Sequence, residues 1–255
     1  MNQLLQLEVR RSLLQMRRYP VETALSFLIL TVMFFGISYG SSAALGGSAS
    51  PGHASSLTVL SFAGWMLCMG MLSGPASELE AESQSGTVEQ LFTGAHPLAR
   101  ILLVRMAAGL LVTSAIVGVV ALAASRLTGA ELALAPMAML VLALVTAAGG
   151  GLLMAGFALV FKKTRSIALL VTFGLMPVMM ADGVASWVQQ WPAALVLPFV
   201  GPLGLAKGLV IDPGAWSWSM AAMAAAASFG YFALGFALFS RLRRVAMRRG
   251  TVGQY

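Results

Sequence analysis

Hydrophobic and polar positions fall into long blocks along this chain. Asp, Glu, Lys and Arg are all absent from residues 23–77, 106–125, 132–161, 166–181, 183–206 and 213–240. A bilayer core about 30 Å thick needs about 20 residues of helix. The first block is long enough for two spans, and the turn-forming residues 46–53 divide it. The pattern predicts six membrane-spanning helices at 21–45, 57–76, 100–125, 132–161, 166–182 and 214–240.

One uncharged block does not fit a span. Residues 183–212 hold three prolines, Pro192, Pro198 and Pro202, and two tryptophans, Trp187 and Trp191. Proline removes a backbone donor and breaks helices, and tryptophan favours the membrane interface. The block therefore predicts a re-entrant or interfacial hairpin on the outer side, before the last span.

The N-terminal residues 1–19 interleave leucines with arginines. This pattern is typical of an amphipathic helix that lies in the membrane interface, with a plain charged leader as the alternative. The apolar stretch that follows is longer than the 7–15 residues of a signal peptide. We therefore expect it to be retained as the first span.

Composition excludes a soluble globular domain. Charged residues are 10% of the chain, against about 25% in ordinary soluble domains. The hydrophobic fraction is 58% and the mean hydropathy is +0.85, which also excludes disorder. One cysteine, Cys68, allows no intramolecular disulfide, and two histidines leave little for a zinc site.

The positions of the basic residues predict the orientation. Of the 16 Lys and Arg, all but Arg126 and Lys207 lie in the N-terminal segment, the loops after spans two and four, and the tail 241–255. The positive-inside rule then places both termini in the cytoplasm. The basic clusters are short and flank apolar helices, so we expect membrane lipid and no nucleic acid as a partner. The predicted location is a bacterial cytoplasmic (inner) membrane.

The predicted cytoplasmic loop 77–97 departs from this trend because it is acidic. Its acidic residues are Glu78, Glu80, Glu82 and Glu89. Two capping-box patterns, Ser77 with Glu80 and Thr87 with Gln90, predict two short helices. Gly86 would form the turn between them. A passive solvated loop is the alternative interpretation.

Residues 86–91 read Gly-Thr-Val-Glu-Gln-Leu. This segment, with the glutamates before it, resembles the cytoplasmic loop of ABC-2-type ABC transporter permeases, where an acidic stretch precedes Gly-Thr-x-Glu-x-Leu. The family often has a basic residue just before the glycine, whereas Ser83, Gln84 and Ser85 stand here. The resemblance extends to the whole order of elements, from the amphipathic helix to the proline-rich hairpin.

The resemblance implies a permease subunit of an ABC exporter, which moves a hydrophobic or amphiphilic drug, lipid or lipid-linked molecule outward. It implies an ABC ATPase subunit as partner and a second permease, with a homodimer expected. The loop would be the coupling loop that docks on the ATPase. The coupling residues carried over are Glu80, Glu82, Gly86, Thr87 and Glu89.

The chain's own residues are not those of an enzyme. None of its three lysines follows a glycine, so a P-loop is absent. No cofactor is expected in this chain, because ATP and Mg²⁺ would be bound by the partner ATPase. Asp182, Phe35 and Met179 are candidates for a substrate path or gate, with a water-facing interfacial charge as the alternative for Asp182. The alternative function is a stand-alone membrane carrier or scaffold.

Overall fold

A computed structural model of the protein describes residues 2–21, 24–25, 28–29, 31–34, 36, 51–86, 97–130, 133–161, 164–181, 183–214 and 216–248. Within these ranges all regular structure is helical. The helices are α1 (Asn2–Arg18), α2 (Pro51–Gln84), α3 (Leu98–Thr128), α4 (Leu134–Phe161), α5 (Arg165–Met180), α6 (Val184–Gln190), a 3₁₀ turn (Pro192–Val196), α7 (Val200–Ile211) and α8 (Trp218–Arg248).

Four helices, α2, α3, α4 and α8, are long and apolar enough to cross a membrane. A bent pair, α5 with α6, forms a fifth candidate whose two parts meet at 76°. Large apolar side chains are exposed along these helices, including Leu111, Val119, Leu122, Leu170, Phe229 and Leu234. Because lipid is the solvent that accepts such a surface, the chain is a helical membrane protein. The predicted all-α class is confirmed.

The predicted start of a separate short helix at Ser77 is wrong. Helix α2 runs without interruption from Pro51 through Pro75 to Gln84. The hydroxyl of Ser77 donates to the carbonyl of Gly74 at 2.8 Å, so it does not cap a new helix. Extending an existing helix needs no new nucleus, and the Ala-, Leu- and Glu-rich stretch that follows propagates helix well.

Other helix ends also differ from the prediction. Helix α2 begins at Pro51, inside the predicted turn 46–53, and proline is favoured at a first helical position. Helix α8 continues to Arg248, so most of the basic tail predicted at 241–255 is helical. Basic residues stabilise the C-terminal end of a helix through its dipole, which suits this extension.

Helix α4 lies at the centre of the bundle, between α2 and α8. A Cβ atom added to Gly235 of α8 would lie 2.1 Å from the Gly149 carbonyl oxygen of α4. A Cβ on Gly151 would lie 2.1 Å from the Met71 carbonyl oxygen of α2. The backbones therefore touch on both sides of α4, an approach that only glycine permits.

The N-terminal part of the chain packs against the same bundle. Helix α1 covers the predicted interfacial segment 1–19 and packs against α3. The described residues within 20–36 are helical, and they include most of the first half of the predicted first span. Phe34 is buried there with its ring edge-on to Phe62 of α2, at a centroid distance of 5.0 Å.

Helices α6 and α7 and the 3₁₀ turn between them occupy the predicted hairpin, and we call them the hairpin unit (residues 184–211). It has its own small core, formed by Val184, Val188, Ala194, Leu195 and Leu205 with Ala224 of α8. The two helices pack closely, since a Cβ on Gly204 would lie 2.5 Å from a methyl of Val188. The turn into α7 places Phe199 at φ +66°, an uncommon value for a residue with a side chain.

Candidate functional site

The predicted coupling residues that the structure describes lie at the acidic end of α2 (residues 77–84) and in the turn after it. The amide of Gly86 donates to the Ser83 carbonyl at 3.1 Å, and Gly86 has φ +71°. This left-handed conformation after a helix is the one that favours glycine. The turn predicted at Gly86 is confirmed, and its role in coupling remains a prediction.

Glu82 forms an ion pair within the chain. Its carboxylate accepts a hydrogen bond from Nη1 of Arg105, at 2.5 Å. The Nε of Arg105 donates to Glu8 of α1 at 3.2 Å, and Nη1 lies 3.6 Å from Glu78. We call Glu8, Glu78, Glu82 and Arg105 the arginine cluster. It joins α1, the acidic end of α2 and the start of α3.

The centre of the arginine cluster is shielded from solvent, whereas Glu78 at its edge is 46% exposed. The Arg105 side chain is 11% exposed and that of Glu82 is 17% exposed. A guanidinium offers five donors in a planar fork, so it can hold several carboxylates at once. Removing the arginine would leave three acidic side chains close together without their shared cation. The cluster therefore fixes three helices at one end of the bundle.

Glu80 contacts a different helix. Its carboxylate accepts hydrogen bonds from the backbone amide of Thr164 and, at 2.8 Å, from the Thr164 hydroxyl. Thr164 is fully buried and is the residue just before α5. A negative charge next to a helix N-terminus is stabilised by the helix dipole. Glu80 thus caps α5 from the end of α2.

These contacts change the interpretation of the two glutamates. The resemblance carries both over as residues of a loop that docks on an ATPase, but in the structure their carboxylates bind Arg105 and Thr164 of this chain. The outward surface of the segment is formed instead by Ser77, Glu78, Ala81, Gln84, Ser85 and Gly86, which are exposed. Any contact with a partner would use that surface, and the coupling role of Glu80 and Glu82 stays a prediction.

Of the remaining predicted site residues, the structure describes Met179 alone. Thr87 and Glu89, Phe35 and Asp182 lie outside the described residues. Met179, the other candidate for a substrate path, is fully buried in the core of the bundle. It contacts core side chains rather than an open path, and its predicted role stays a prediction.

A small cavity lies between α2 and α3, beside the arginine cluster. Its volume is about 100 Å³, and Gly70, Gly74, Glu78, Arg105 and Gly109 are among the residues that line it. Ligand pockets for drug-sized molecules are usually about 300–1,000 Å³. The cavity is therefore too small to hold an amphiphilic substrate in this conformation.

Sequence reasoning missed a buried lysine near the other end of α5. Lys207 of α7 has a relative exposure of 0%, and its ammonium donates to the Ala181 carbonyl at 2.8 Å. Ala181 is the C-terminal cap of α5. The available signal was that Lys207 is the single charge in residues 183–211, and it was counted only for orientation.

Within the described ranges, no group of three or more His, Cys, Asp and Glu side chains is arranged to hold a metal ion. The contacts described at this site are ion pairs and a helix cap, and they hold helices in position. No family model matches this chain, and no curated protein or solved structure is detectably similar to it.

Proposed function

We propose that the chain is the transmembrane permease subunit of an ABC exporter, driven by ATP hydrolysis in a separate ATPase subunit. One observation carries the proposal most directly. Helix α2 continues from its apolar part into the acidic end and stops at Gly86, immediately before the Thr-x-Glu-x-Leu residues 87–91. A force applied at these residues would act on one end of a long helix that is packed against the bundle.

The proposal includes six spans with both termini in the cytoplasm of a bacterial cell. The distribution of Lys and Arg supports this orientation, since most lie in segments that the six-span topology puts on one side. The contacts of Glu8, Arg105 and Thr164 with the acidic end of α2 support it as well. They bring together the N-terminal segment and the two loops that the topology assigns to the cytoplasm.

In this proposal the ATPase contacts the outward surface of the acidic end together with Thr87 and Glu89. Glu80 and Glu82 serve the same coupling from inside, because they attach the contacted segment to α3 and α5. ATP and Mg²⁺ belong to the partner. A second permease, identical to this chain, completes the translocation path, and the cargo is a hydrophobic or amphiphilic molecule.

A reconstitution with an ATPase tests the proposal. The chain is purified with a candidate ABC ATPase, taken from a neighbouring gene where one exists, and the two are placed in liposomes that contain a fluorescent amphiphile. We expect the two proteins to co-purify and ATP to drive movement of the dye. Gln84→Arg and Glu89→Arg should reduce the hydrolysis that depends on the permease. These positions suit the test better than Glu82, since Glu82→Arg would also disrupt the arginine cluster.

The second candidate function is a stand-alone membrane carrier or scaffold. The buried Lys207 is the observation that favours a carrier, because ionisable side chains at membrane depth often mark substrate or ion pathways. Liposomes that contain the purified chain alone distinguish the two. Movement of the dye without nucleotide or ATPase would support the carrier and overturn the exporter.

A further inference from the structure

We infer that α5 is the element that transmits motion from the acidic end of α2 to the hairpin unit, through one charged side chain at each end. The inference rests on the proposed function, because it names the route by which coupling would cross the permease. The two contacts that carry it are Glu80 with Thr164 and Lys207 with Ala181.

The first contact joins the acidic end of α2 to the start of α5. Glu80 binds both the backbone amide and the hydroxyl of Thr164, so the position of the threonine is fixed by two bonds to one carboxylate. Thr164 is fully buried, which removes competing water. Any displacement of the end of α2 would therefore displace Thr164, the residue that precedes α5.

The second contact joins the other end of α5 to the hairpin unit. The ammonium of Lys207 reaches the Ala181 carbonyl from α7, and the whole residue is buried. A buried charge is costly unless hydrogen bonds compensate it. In membrane proteins such residues are usually functional rather than structural. Lys207 thus connects the C-terminal cap of α5 to α7, a helix that contributes Leu205 to the small core and Leu203 and Ala206 to the main core.

The two charges match the polarity of the helix between them. A carboxylate stands at the N-terminus of α5 and an ammonium at its C-terminus, and each is the sign that the helix dipole stabilises. Helix α5 has 16 residues, which corresponds to a length of roughly 24 Å. One helix of this length, with Pro177 in its last turn, is therefore held at both ends by side chains from α2 and α7.

The geometry after α5 explains how an axial movement could reach the hairpin unit. The chain bends by 76° between α5 and α6, so the two helices do not form a continuous rod. Helix α6 packs against α7 through Val188 and Gly204. A shift of α5 would then act on α6 through the chain and on α7 through Lys207. The direct packing of α6 on α7 would carry the shift through the hairpin unit, which also packs against α4.

Substitutions at the two contacts test this inference in the reconstituted complex with the ATPase. Thr164→Val removes the hydroxyl at nearly constant volume, and Thr164→Ser keeps it. Lys207→Met removes the ammonium and keeps most of the chain length. We expect Thr164→Val and Lys207→Met to bind the ATPase and hydrolyse ATP at the wild-type level. Dye moved per ATP should fall about tenfold in both, and Thr164→Ser should retain it.

If the two contacts have a merely structural role, the substitutions should lower folded yield, ATPase binding and transport together. Thr164→Ser and Thr164→Val should then move the same amount of dye per ATP. That result, or wild-type dye movement per ATP in both Thr164→Val and Lys207→Met, would overturn the inference. If Lys207→Met does not fold, the Thr164 pair alone decides the question. Failure of the wild-type chain to bind the ATPase would instead reject the proposed function, so the two failures are distinguishable.

Discussion

The middle of the bundle and its acidic end are held together by different means. At the middle, α4 meets α2 and α8 through glycines, and the backbones themselves are in contact. At the acidic end, α1, α2, α3 and α5 are joined by the side chains of Glu8, Glu80, Glu82, Arg105 and Thr164. Contacts of the first kind allow almost no rearrangement, whereas ion pairs and caps can break and form again.

The largest loss of stability is expected where the helix backbones touch. Gly235→Val should destabilise the fold by about 3 kcal/mol, near the upper end for overpacking, because its Cβ would clash with the Gly149 carbonyl. Gly230→Val is the matched control on the same helix, since nothing lies within 4 Å of a Cβ there. Cys68, the one cysteine of the chain, is buried, so its labelling by a thiol-reactive dye during heating measures unfolding.

A smaller loss of stability is expected from a substitution in the arginine cluster. Arg105→Met should destabilise the fold by about 1–3 kcal/mol, because three carboxylates lose their common cation. Arg100→Met, at an exposed position on the same helix, should have little effect. The same Cys68 assay compares the two. Equal unfolding temperatures for both variants would show that the cluster contributes no net stability.

Substitutions at two glycine turns distinguish an effect on stability from an effect on coupling. Gly86 and Gly129 have nearly the same positive φ, and in both cases a Cβ would meet nothing within 4 Å. Alanine at either position should therefore cost a similar amount, about 1 kcal/mol. In the complex with the ATPase, only Gly86→Ala should reduce permease-dependent hydrolysis. An equal loss of hydrolysis in Gly129→Ala would show that the turn after α2 has no special role in coupling.

The smallest change in stability is expected at Lys207. Lys207→Met removes the hydrogen bond that the ammonium donates to the Ala181 carbonyl and keeps a side chain of similar length in the buried site, so it should lower the stability by about 0.5–1 kcal/mol. A loss in the Cys68 assay as large as that of Arg105→Met would mean that Lys207 is mainly structural.

The apolar blocks predicted the helical class and the approximate places of α2, α3, α4, α5 and α8, because spans depend on local composition. Helix ends were less predictable. Ser77 with Glu80 satisfies a capping box, yet the pattern cannot show whether a helix already runs through it. Both residues instead serve other contacts, Ser77 with Gly74 and Glu80 with Thr164.

The acidic segment was recognised from the sequence, but the direction of its side chains was not. Glu82 and Arg105 are 23 residues apart, and Glu80 and Thr164 are 84 apart. Such pairings depend on how the helices pack, which no single segment encodes. Two local signals were available and unused. Thr164 precedes an apolar block, where a helix cap is favoured, and Lys207 is isolated in an uncharged stretch.

The glycine contact between α4 and α8 has a consequence for any movement in this protein. Two backbones that touch have no side chains between them to repack, so their relative position has few alternatives. Gly151 applies the same restriction between α4 and α2 at Met71. The three helices thus provide a fixed reference frame near their glycine contacts. In the proposed function, motion would therefore be a displacement relative to that frame of the acidic end of α2, of α5 or of the hairpin unit.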